Sequence, residues 1–268
     1  MLNDAIEIAK GAGAILLKQQ AEGFQVSKKS ELIQDFVTSA DLASEKFILK
    51  ELRKKFPNDP IISEESDTSV LDYSSRVWIV DPLDGTSAYS QHKDGYCVII
   101  GCCLAGKPAL GVVFDPVKGT LYYAEKGKGA FLQEGDLRHQ LHVNSIDTIA
   151  QSRAILKPTL ERTGRYDSWL NNLKVHEKLT MNSAGLEIMA VASGIVDFSF
   201  DAANRICKWD TCGPQVILEE AGGLITAVNG PLDYTQPGSK WKDAVIISNT
   251  KMHNPLLVNL GRAHLLPA

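Results

Sequence analysis

Hydrophobic positions in the first sixty residues recur with the spacing of amphipathic helices. Near the N-terminus this spacing predicts a helix that has Asn3 as its N-cap and buries Ala5, Ile8, Ala9, Ala12, Ile15 and Leu16. A second helix is predicted over residues 39–56, with basic residues in its last turn and an apolar face made of Leu42, Ile48, Leu49, Leu52 and Phe56. Pro57 and Pro60 then end this helix.

Short apolar runs separated by turn residues follow, and they predict strands. The run Val77–Val80 ends at Asp81-Pro82, and three further runs at 96–104, 109–114 and 120–124 indicate an antiparallel meander. After about residue 150, strands at 154–156, 196–200 and 224–228 alternate with helices at 183–192 and 210–221. The pattern predicts an α/β fold class, with an α+β half over residues 1–145 and an α/β half over residues 146–268.

Composition narrows the class of protein and its partners. The chain has 268 residues, of which 44% are hydrophobic, and 28 basic against 32 acidic residues give a formal charge of −4. This balance lacks the basic footprint of proteins that bind a nucleic-acid polymer. No stretch approaches the roughly 18 uninterrupted apolar residues of a membrane span, and no apolar leader opens the chain. We therefore expect a cytoplasmic protein with no nucleic-acid polymer and no membrane as partner.

Cysteine and histidine usage indicates neither a disulfide framework nor a zinc site. The cysteines are odd in number and form no C-x-x-C pair, so we expect reduced and buried packing residues at Cys97, Cys102, Cys103, Cys207 and Cys212. The six histidines are scattered along the chain and are expected to be solvated. Acidic side chains are then the remaining candidates for metal ligands.

Candidate chemistry concentrates in the hexapeptide DPLDGT. Asp81 and Asp84 place two carboxylates three residues apart at a strand end, where they can converge on a hard cation together with the Leu83 carbonyl. Gly85 allows a ligand to approach the backbone closely, and the Thr86 hydroxyl can orient a water. If a helix starts after Gly85, its free amides form an anion site. Taken alone, the hexapeptide is also compatible with a helix-capping turn.

Three other carboxylates stand at predicted element boundaries. Glu64 follows the apolar pair Ile61-Ile62, while Asp41 and Asp210 each stand near the start of a predicted helix. Each of these acids, taken singly, is explained by helix capping or by solvation. Together with the two aspartates of the hexapeptide they form a pool of carboxylates suited to oxygen-only ligation of Mg²⁺.

These motifs resemble the signatures of the inositol monophosphatase superfamily, whose members are lithium-sensitive, Mg²⁺-dependent phosphatases. The resemblance rests, in the family's order, on ISEE at 62–65, WIVDPLDGT at 78–86 and the stretch from Trp209-Asp210 to Gly222-Gly223. It implies the layered αβαβα sandwich of the inositol monophosphatase and fructose-bisphosphatase type. It also implies a cofactor of two or three Mg²⁺ ions and a small-molecule phosphate ester as partner, and it is compatible with a homodimer.

The resemblance also implies roles for individual residues of this sequence. One Mg²⁺ would be held by Glu64, Asp81 and the Leu83 carbonyl, and a second by Asp81, Asp84 and Asp210. Thr86 and Asp41 would orient the water that attacks phosphorus, with Glu64 completing the catalytic set. The substrate side would consist of Asp84, Gly85, Thr86, Ser183 and Asp210.

Within the superfamily, two stretches resemble the 3′(2′),5′-bisphosphate nucleotidases, which remove the 3′-phosphate of adenosine 3′,5′-bisphosphate, a by-product of sulfate assimilation. These are KWDTCGPQVIL at 208–218 and PLDYT at 231–235. Leu83, where the hexapeptide could have isoleucine, also resembles the nucleotidase branch. The chain departs from both branches at 87–89, where SAY replaces the nucleotidase Lys-Glu and the Asn-Phe of the inositol branch. Residues 182–184 resemble a Gly-Ser-Ala stretch that lines the substrate pocket in both branches, but Asn182 replaces its glycine.

The leading hypothesis is therefore a bisphosphate nucleotidase, and the alternative is an inositol-1-monophosphatase. Asp201 lies near the position of an acidic ligand of the inositol hydroxyls, but out of register with it. A sugar phosphatase of the fructose-bisphosphatase type would bind its metals through carboxylates in the same way and is a further candidate. A non-catalytic phosphate- or metal-binding protein on this fold is the hypothesis from another class.

Overall fold

A computed structural model of the chain describes residues 1–28, 36–66, 72–156, 166–201 and 206–266. In these ranges the α-helices are α1 Leu2–Glu22, α2 Ser39–Lys55, α3 Thr86–Ser90, α4 Asp167–Asn172, α5 Ala184–Ala192, α6 Lys208–Glu220 and α7 Thr250–Arg262. A 3-10 turn covers Ile149–Gln151. Strands β1 (Val26–Lys28) and β2 (Phe36–Thr38) form a short antiparallel ribbon that leads into α2.

The large sheet has seven strands, which lie side by side in chain order. They are β3 Ile61–Ser63, β4 Arg76–Asp84, β5 Cys97–Leu104, β6 Lys107–Asp115, β7 Thr120–Glu125, β8 Ala130–Glu134 and β9 Leu137–Gln140. Only the β3–β4 pair among them is parallel, and every later pair is antiparallel. This confirms the predicted meander and extends it by two strands at its far edge.

The small sheet comes from the second half of the chain and is mixed. Its order is β11 (Glu177–Leu179), β10 (Arg153–Leu156), β12 (Phe198–Asp201), β14 (Val245–Asn249) and β13 (Gly223–Ala227). β10 pairs in parallel with both neighbours, whereas β14 is antiparallel to both of its own. The two sheets thus draw on separate parts of the chain, and the division into two halves near residue 145 stays a prediction.

The layers stack as helix, sheet, helix, sheet, helix. α1 and α2 cover one face of the large sheet, where Leu16 shares a core with Val98. α5 and α6 lie between the sheets, and Ile217 of α6 belongs to a core that joins Ile99 of the large sheet to Ile247 of the small one. Val98 and Ile99 serve different cores because successive strand residues point to opposite faces. α4 and α7 cover the outer face of the small sheet, so the implied αβαβα sandwich is confirmed.

Helix α6 approaches the large sheet backbone to backbone. A Cβ added to Gly111 of β6 would lie 1.9 Å from the Gly213 carbonyl oxygen, and one added to Gly101 of β5 would lie 2.6 Å from the Gly213 amide nitrogen. Only glycine fits at such an approach. Because Asp210 precedes Gly213 by about one helical turn, this contact fixes the depth of that carboxylate relative to the strands.

The start of α1 differs from the predicted pattern. Asn3 lies inside the helix rather than at its N-cap, because the helix begins at Leu2 and Met1 takes the cap position. The Met1 carbonyl accepts the Ala5 amide at 3.0 Å, and the Met1 ammonium pairs with Asp4 at 3.1 Å. The helix therefore has no side-chain cap, and Asp4 in its first turn is favourable at the positive end of the helix dipole.

The buried face of α2 also differs from the predicted one. Leu42 is 51% exposed, although the apolar spacing assigns it to the core. Apart from Ala40, the buried residues of the first two turns are polar: Asp41, Ser44 and Glu45 are 1%, 0% and 7% exposed. A polar face turned inward calls for partners inside the protein, and these partners lie in the candidate site.

Cysteine and histidine positions give one confirmation and one correction. All five cysteines are free and buried, as the sequence predicts. His253 is buried at 3% exposure instead of solvated, because Ser248 Oγ lies 2.9 Å from its Nδ1 and Thr226 Oγ1 lies 3.0 Å from its Nε2. Over the described ranges, no helix has both the length and the apolar character needed to cross a bilayer.

Candidate metal centre

The hexapeptide DPLDGT lies at a β-bulge, not beyond a strand end. β4 continues through Asp84, with Asp81 opposite Ile99 and Asp84 opposite Cys97, so β4 carries one extra residue there. In a regular strand, residues three apart point to opposite faces, and one inserted residue reverses that alternation. The bulge also accommodates Pro82, which cannot donate to a ladder. It thereby allows both aspartates to face one site.

Three carboxylates meet at this bulge. Asp81, Asp84 and Asp210 each offer an oxygen within 4.8 Å of the others. Asp210 arrives from the first turn of α6, where the Cys207 amide donates to its Oδ2 at 2.5 Å in a capping box. Asp210 therefore caps its helix and faces the cluster at the same time. The metal-ligating and helix-capping interpretations of this acid are compatible.

Mutual repulsion and burial dominate the electrostatics of the cluster. Burial raises the pKa of Asp81 well above its ordinary value, and the charges of Glu64, Asp84 and Asp210 raise it further. Burial likewise raises the pKa of Asp210, with contributions from Asp84 and Glu64. Carboxylates held together against their own repulsion are stabilised by a cation. Oxygen-only donors at this spacing fit a hard divalent ion such as Mg²⁺.

Glu64 lies near the same cluster, in the turn that follows a different strand. It is half-buried in the turn that follows β3, and its charge acts on both Asp81 and Asp210. β3 runs parallel to β4, so the ends of the two strands meet at one edge of the large sheet. Four of the five carboxylates that the sequence singles out, namely Glu64, Asp81, Asp84 and Asp210, therefore lie near one another.

Asp41 and Thr86 lie beside this cluster and contact each other. The Thr86 hydroxyl lies 3.1 Å from Asp41 Oδ1 and 3.1 Å from the Leu83 carbonyl oxygen. The other oxygen of Asp41 accepts from the Thr38 amide at 2.7 Å and the Thr38 hydroxyl at 2.5 Å. These bonds complete a capping box at the start of α2. Like Asp210, Asp41 caps a helix while one oxygen points toward the candidate site.

The predicted substrate-side residues lie in two places. Gly85 and Thr86 stand at the start of α3, and Ser183 contacts Asp84. Gly85 has φ of 97° and precedes helix α3, whose first backbone bonds are donated by Ala88 and Tyr89. The amides before Ala88 stand ahead of the helical ladder, as at any helix start. Ser183 instead donates to Asp84 Oδ2 at 2.6 Å.

Two positions that the sequence analysis discusses for the substrate pocket lie outside the cluster. Asn182, at which the chain departs from the Gly-Ser-Ala stretch, is exposed beside Ser183. Asp201 is buried at the end of β12, and the group of converging carboxylates found among the described residues does not include it.

Sequence reasoning missed two residues that contact the site from α2. Ser44 Oγ donates to the Pro82 carbonyl at 2.8 Å, and Glu45 Oε1 accepts from Ser66 Oγ at 2.9 Å. The available signal was their spacing from Asp41, since residues at i, i+3 and i+4 share a helix face. Without knowledge of the burial of that face, both read as ordinary surface residues.

Comparison with known proteins identifies the family of the chain. A family model described as the inositol monophosphatase family matches residues 1–265. The Nus factor SuhB of Pasteurella multocida is 33% identical over 242 residues, covering 89% of this chain and 89% of that protein. The crystal structure of the extragenic suppressor protein suhB from Bartonella henselae superposes with a TM-score of 0.82 at 29% identity, covering 97% of this chain and 96% of the other.

A third neighbour has been solved with ligands. This is SaIMPase-II, a Staphylococcus aureus inositol monophosphatase, in one structure with inositol monophosphate and in another with 2′-AMP. Both superpose with a TM-score of 0.80 at 26% identity, covering 98% and 99% of this chain and 94% and 93% of the other. The family model spans nearly the whole chain, and the relatives share its length and its fold. The chain therefore belongs to the inositol monophosphatase family and is a metal-dependent phosphoric monoester hydrolase.

Proposed function

We propose that this chain is a Mg²⁺-dependent phosphomonoesterase that works with two or three Mg²⁺ ions. The observation that carries the proposal is the convergence of Asp81, Asp84 and Asp210 within 4.8 Å, two of them buried almost completely. Glu64 and the Leu83 carbonyl would complete the ligand set on the side of β3. When bound, Mg²⁺ supplies positive charge for the phosphate and for the departing oxygen.

The chain's own residues hold the attacking water. Asp41 accepts from Thr86 through one oxygen, while Thr38 fixes its other oxygen, so its orientation is set before substrate arrives. A water beside Thr86 could pass its proton toward Asp41, in line with general-base catalysis by a positioned carboxylate. Gly85 and Thr86 would bind the phosphate oxygens through their amides, which precede the hydrogen-bond ladder of α3.

For the substrate we favour a nucleoside bisphosphate, with the 3′-phosphate of adenosine 3′,5′-bisphosphate removed and AMP released. The two nucleotidase-like stretches of the sequence pack together at the start of α6, which carries Asp210, and this supports the choice. The Tyr234 hydroxyl lies 2.9 Å from the Thr211 hydroxyl and 2.8 Å from Gln215 Oε1, and Lys208 Nζ donates to the Tyr234 carbonyl at 2.8 Å. The 2′-AMP complex of SaIMPase-II adds that a neighbour of the same fold binds a nucleoside phosphate.

Inositol 1-phosphate is the second candidate. It is favoured by the inositol monophosphate complex of the same neighbour. The position of Asp201 gives it no added support, because this residue is buried and lies outside the group of converging carboxylates found among the described residues.

One comparison separates the two substrates. We would measure kcat/KM for adenosine 3′,5′-bisphosphate and inositol 1-phosphate side by side in Mg²⁺, and identify the nucleotide product. The nucleotidase proposal expects the bisphosphate to be preferred and the product to keep its 5′-phosphate. A preference for inositol 1-phosphate would reject it in favour of the alternative, and a nucleoside product that carries no phosphate would reject it without supporting the alternative.

The metal assignment has its own test in Asp81→Asn. Because Asp81 would contact both cations, we expect kcat to fall by roughly a thousandfold or more. The same change removes one of the mutually repelling charges, so the metal-free protein should unfold at an equal or higher temperature. Half of the wild-type activity in a folded Asp81→Asn protein would remove this residue from the metal centre.

A further inference from the structure

One face of helix α2 contacts three separate parts of the candidate metal centre. Asp41, Ser44 and Glu45 lie at i, i+3 and i+4, and all three are buried. Asp41 reaches Thr86, as described above. Ser44 and Glu45 reach two backbone segments that carry candidate metal ligands. The three contacts come from two turns of one helix, so a displacement of α2 would displace all three.

Ser44 supplies a hydrogen bond that the large sheet does not. The strand register between β4 and β5 passes from Asp81 directly to Asp84, and the bulge leaves Pro82 out of the ladder. Ser44 Oγ donates to the Pro82 carbonyl at 2.8 Å in a buried environment. Buried carbonyls require a partner. This bond therefore holds the bulge that turns Asp81 and Asp84 toward one another.

Glu45 performs a similar task on the neighbouring strand. Its Oε1 accepts from Ser66 Oγ at 2.9 Å, and the Ser66 amide donates back to the Ser63 carbonyl at 3.4 Å. These two bonds close the turn after β3. Glu64 lies inside that turn, so its position depends on where Ser66 is held.

We propose that Ser44 and Glu45 are positioning residues for the metal ligands, Ser44 acting through the Pro82 carbonyl on Asp81 and Asp84, and Glu45 acting through Ser66 on Glu64. The proposal rests on the proposed function, in that these acids bind the catalytic cations. Neither residue would touch metal or substrate. Their loss should weaken metal binding more than it changes the turnover of the fully metal-loaded enzyme.

The test measures metal binding directly and not only through activity. Binding of Mn²⁺, which like Mg²⁺ prefers oxygen ligands, is followed by calorimetry in the full chain. The variants are Ser44→Ala, Glu45→Met and Ser66→Ala, each of which deletes one end of a contact. Glu45→Gln keeps an acceptor for Ser66. The control is Glu51→Met, the same chemical change at a half-buried position six residues further along α2.

We expect Ser44→Ala, Glu45→Met and Ser66→Ala each to weaken Mn²⁺ binding by about fivefold, the scale of one hydrogen bond. The Mg²⁺ concentration for half-maximal rate should rise in parallel. Glu45→Gln and Glu51→Met should stay within about twofold of the wild type. Combining Glu45→Met with Ser66→Ala should add little to either change, because both delete the same bond.

Unchanged Mn²⁺ affinity in folded Glu45→Met and Ser66→Ala proteins would overturn the role of Glu45, and unchanged affinity in Ser44→Ala would overturn that of Ser44. Should Glu45→Met fail to fold, Ser66→Ala still reports on the same contact from an exposed position. The experiment distinguishes failure of the proposed function from failure of the positioning role. Weakened Mn²⁺ binding in a chain that hydrolyses none of the esters rejects the proposed function alone, and unaltered binding in an active enzyme rejects the positioning alone.

Discussion

Thr86 and Asp41 are 45 residues apart in the chain and lie within hydrogen-bond distance, at 3.1 Å between hydroxyl and carboxylate oxygens. Asp41 also caps α2 through Thr38, so its loss has two separable effects. A capping role predicts a lower unfolding temperature in Asp41→Asn with normal turnover. An orienting role predicts a lower kcat.

We expect both Thr86→Ala and Asp41→Asn to lower kcat by about a hundredfold or more while changing KM little, because they orient water and do not bind substrate. Thr38→Val serves as the matched control for the cap: it removes the hydroxyl that bonds Asp41, while the amide of residue 38 still donates to Asp41 and Thr86 stays in place. Steady-state rates and unfolding temperatures of the three variants decide the matter. If Asp41→Asn loses only thermal stability, the carboxylate acts as a helix cap and nothing more.

A second prediction concerns the contact between Gly111 and Gly213. An alanine Cβ at 111 would overlap the Gly213 carbonyl at 1.9 Å, and the obstacle is backbone that no rotamer change can move. We expect Gly111→Ala to push α6 outward and to lower the free energy of unfolding by about 2 kcal/mol or more. Asp210 would shift with the helix, so metal affinity should fall as well.

Gly261→Ala in α7 is the matched control for this variant. There an added Cβ would meet only Leu266 Cδ1, at an ordinary contact distance of 3.4 Å. Alanine is favoured over glycine inside a helix by up to about 1 kcal/mol, so this variant should be equal to the wild type or more stable. Urea unfolding of both proteins measures the difference. Equal stability of Gly111→Ala and wild type would mean that α6 does not lie so close to the sheet.

The sequence was sufficient for the parts of the site that are local. The spacing of Asp81 and Asp84 and the glycine after them lie within one hexapeptide, and they predict convergence without knowledge of the fold. The bulge that brings this convergence about was not predictable, because it depends on pairing with β5, and the same letters also fit a strand that ends before Asp81.

Ser44 and Glu45 show where the pattern of apolar residues misleads. Periodicity assigns the interior of a helix to its apolar residues, and on α2 that assignment placed Leu42 inward. The helix is rotated so that polar residues face the protein in its first two turns, because the partners of those residues lie in other elements. Such partners are known only once the chain is folded.

A third prediction follows from the buried imidazole of His253. Burial lowers the pKa of His253, and its two ring nitrogens lie within hydrogen-bond distance of Ser248 and Thr226. A histidine whose pKa is lower in the folded state than in the unfolded state, where it is about 6.5, disfavours folding when protonated. Its contribution to stability is therefore complete above about pH 6.5 and is lost as pH falls toward the folded-state pKa.

The measurement is the free energy of unfolding of wild type and His253→Gln between pH 8 and pH 5, in urea and without metal. We expect the advantage of the wild type to shrink as pH falls, since glutamine does not titrate. The acidic cluster changes stability in the opposite direction over this range, but it is common to both proteins and cancels in the difference. His139→Gln, at an exposed site, should show no such trend. A wild-type advantage that is constant with pH would contradict the prediction.

The last prediction concerns how tightly the second cation is held. The Asp84 carboxylate already accepts three hydrogen bonds at the start of α5. Their donors are the Ser183 hydroxyl at 2.6 Å and the amides of Ala184 and Gly185 at 3.1 and 2.6 Å. A carboxylate that already accepts several hydrogen bonds has less of its charge to offer a metal. The ion that Asp84 and Asp210 would hold together should therefore bind more weakly than the one that Glu64 would hold.

A weak cation position of this kind is open to replacement by lithium, which is small, hard and carries half the charge of Mg²⁺. With less positive charge at that position, departure of the leaving oxygen and of the product should slow. We expect uncompetitive or mixed inhibition by Li⁺ against the phosphate ester, and inhibition by high Mg²⁺ through the same position. Initial rates at several ester concentrations in Li⁺, compared with equal concentrations of Na⁺, measure this effect. Full activity in tens of millimolar Li⁺ would mean that the position near Asp84 is not weak, while the ligand assignments would stand on the Asp81→Asn result.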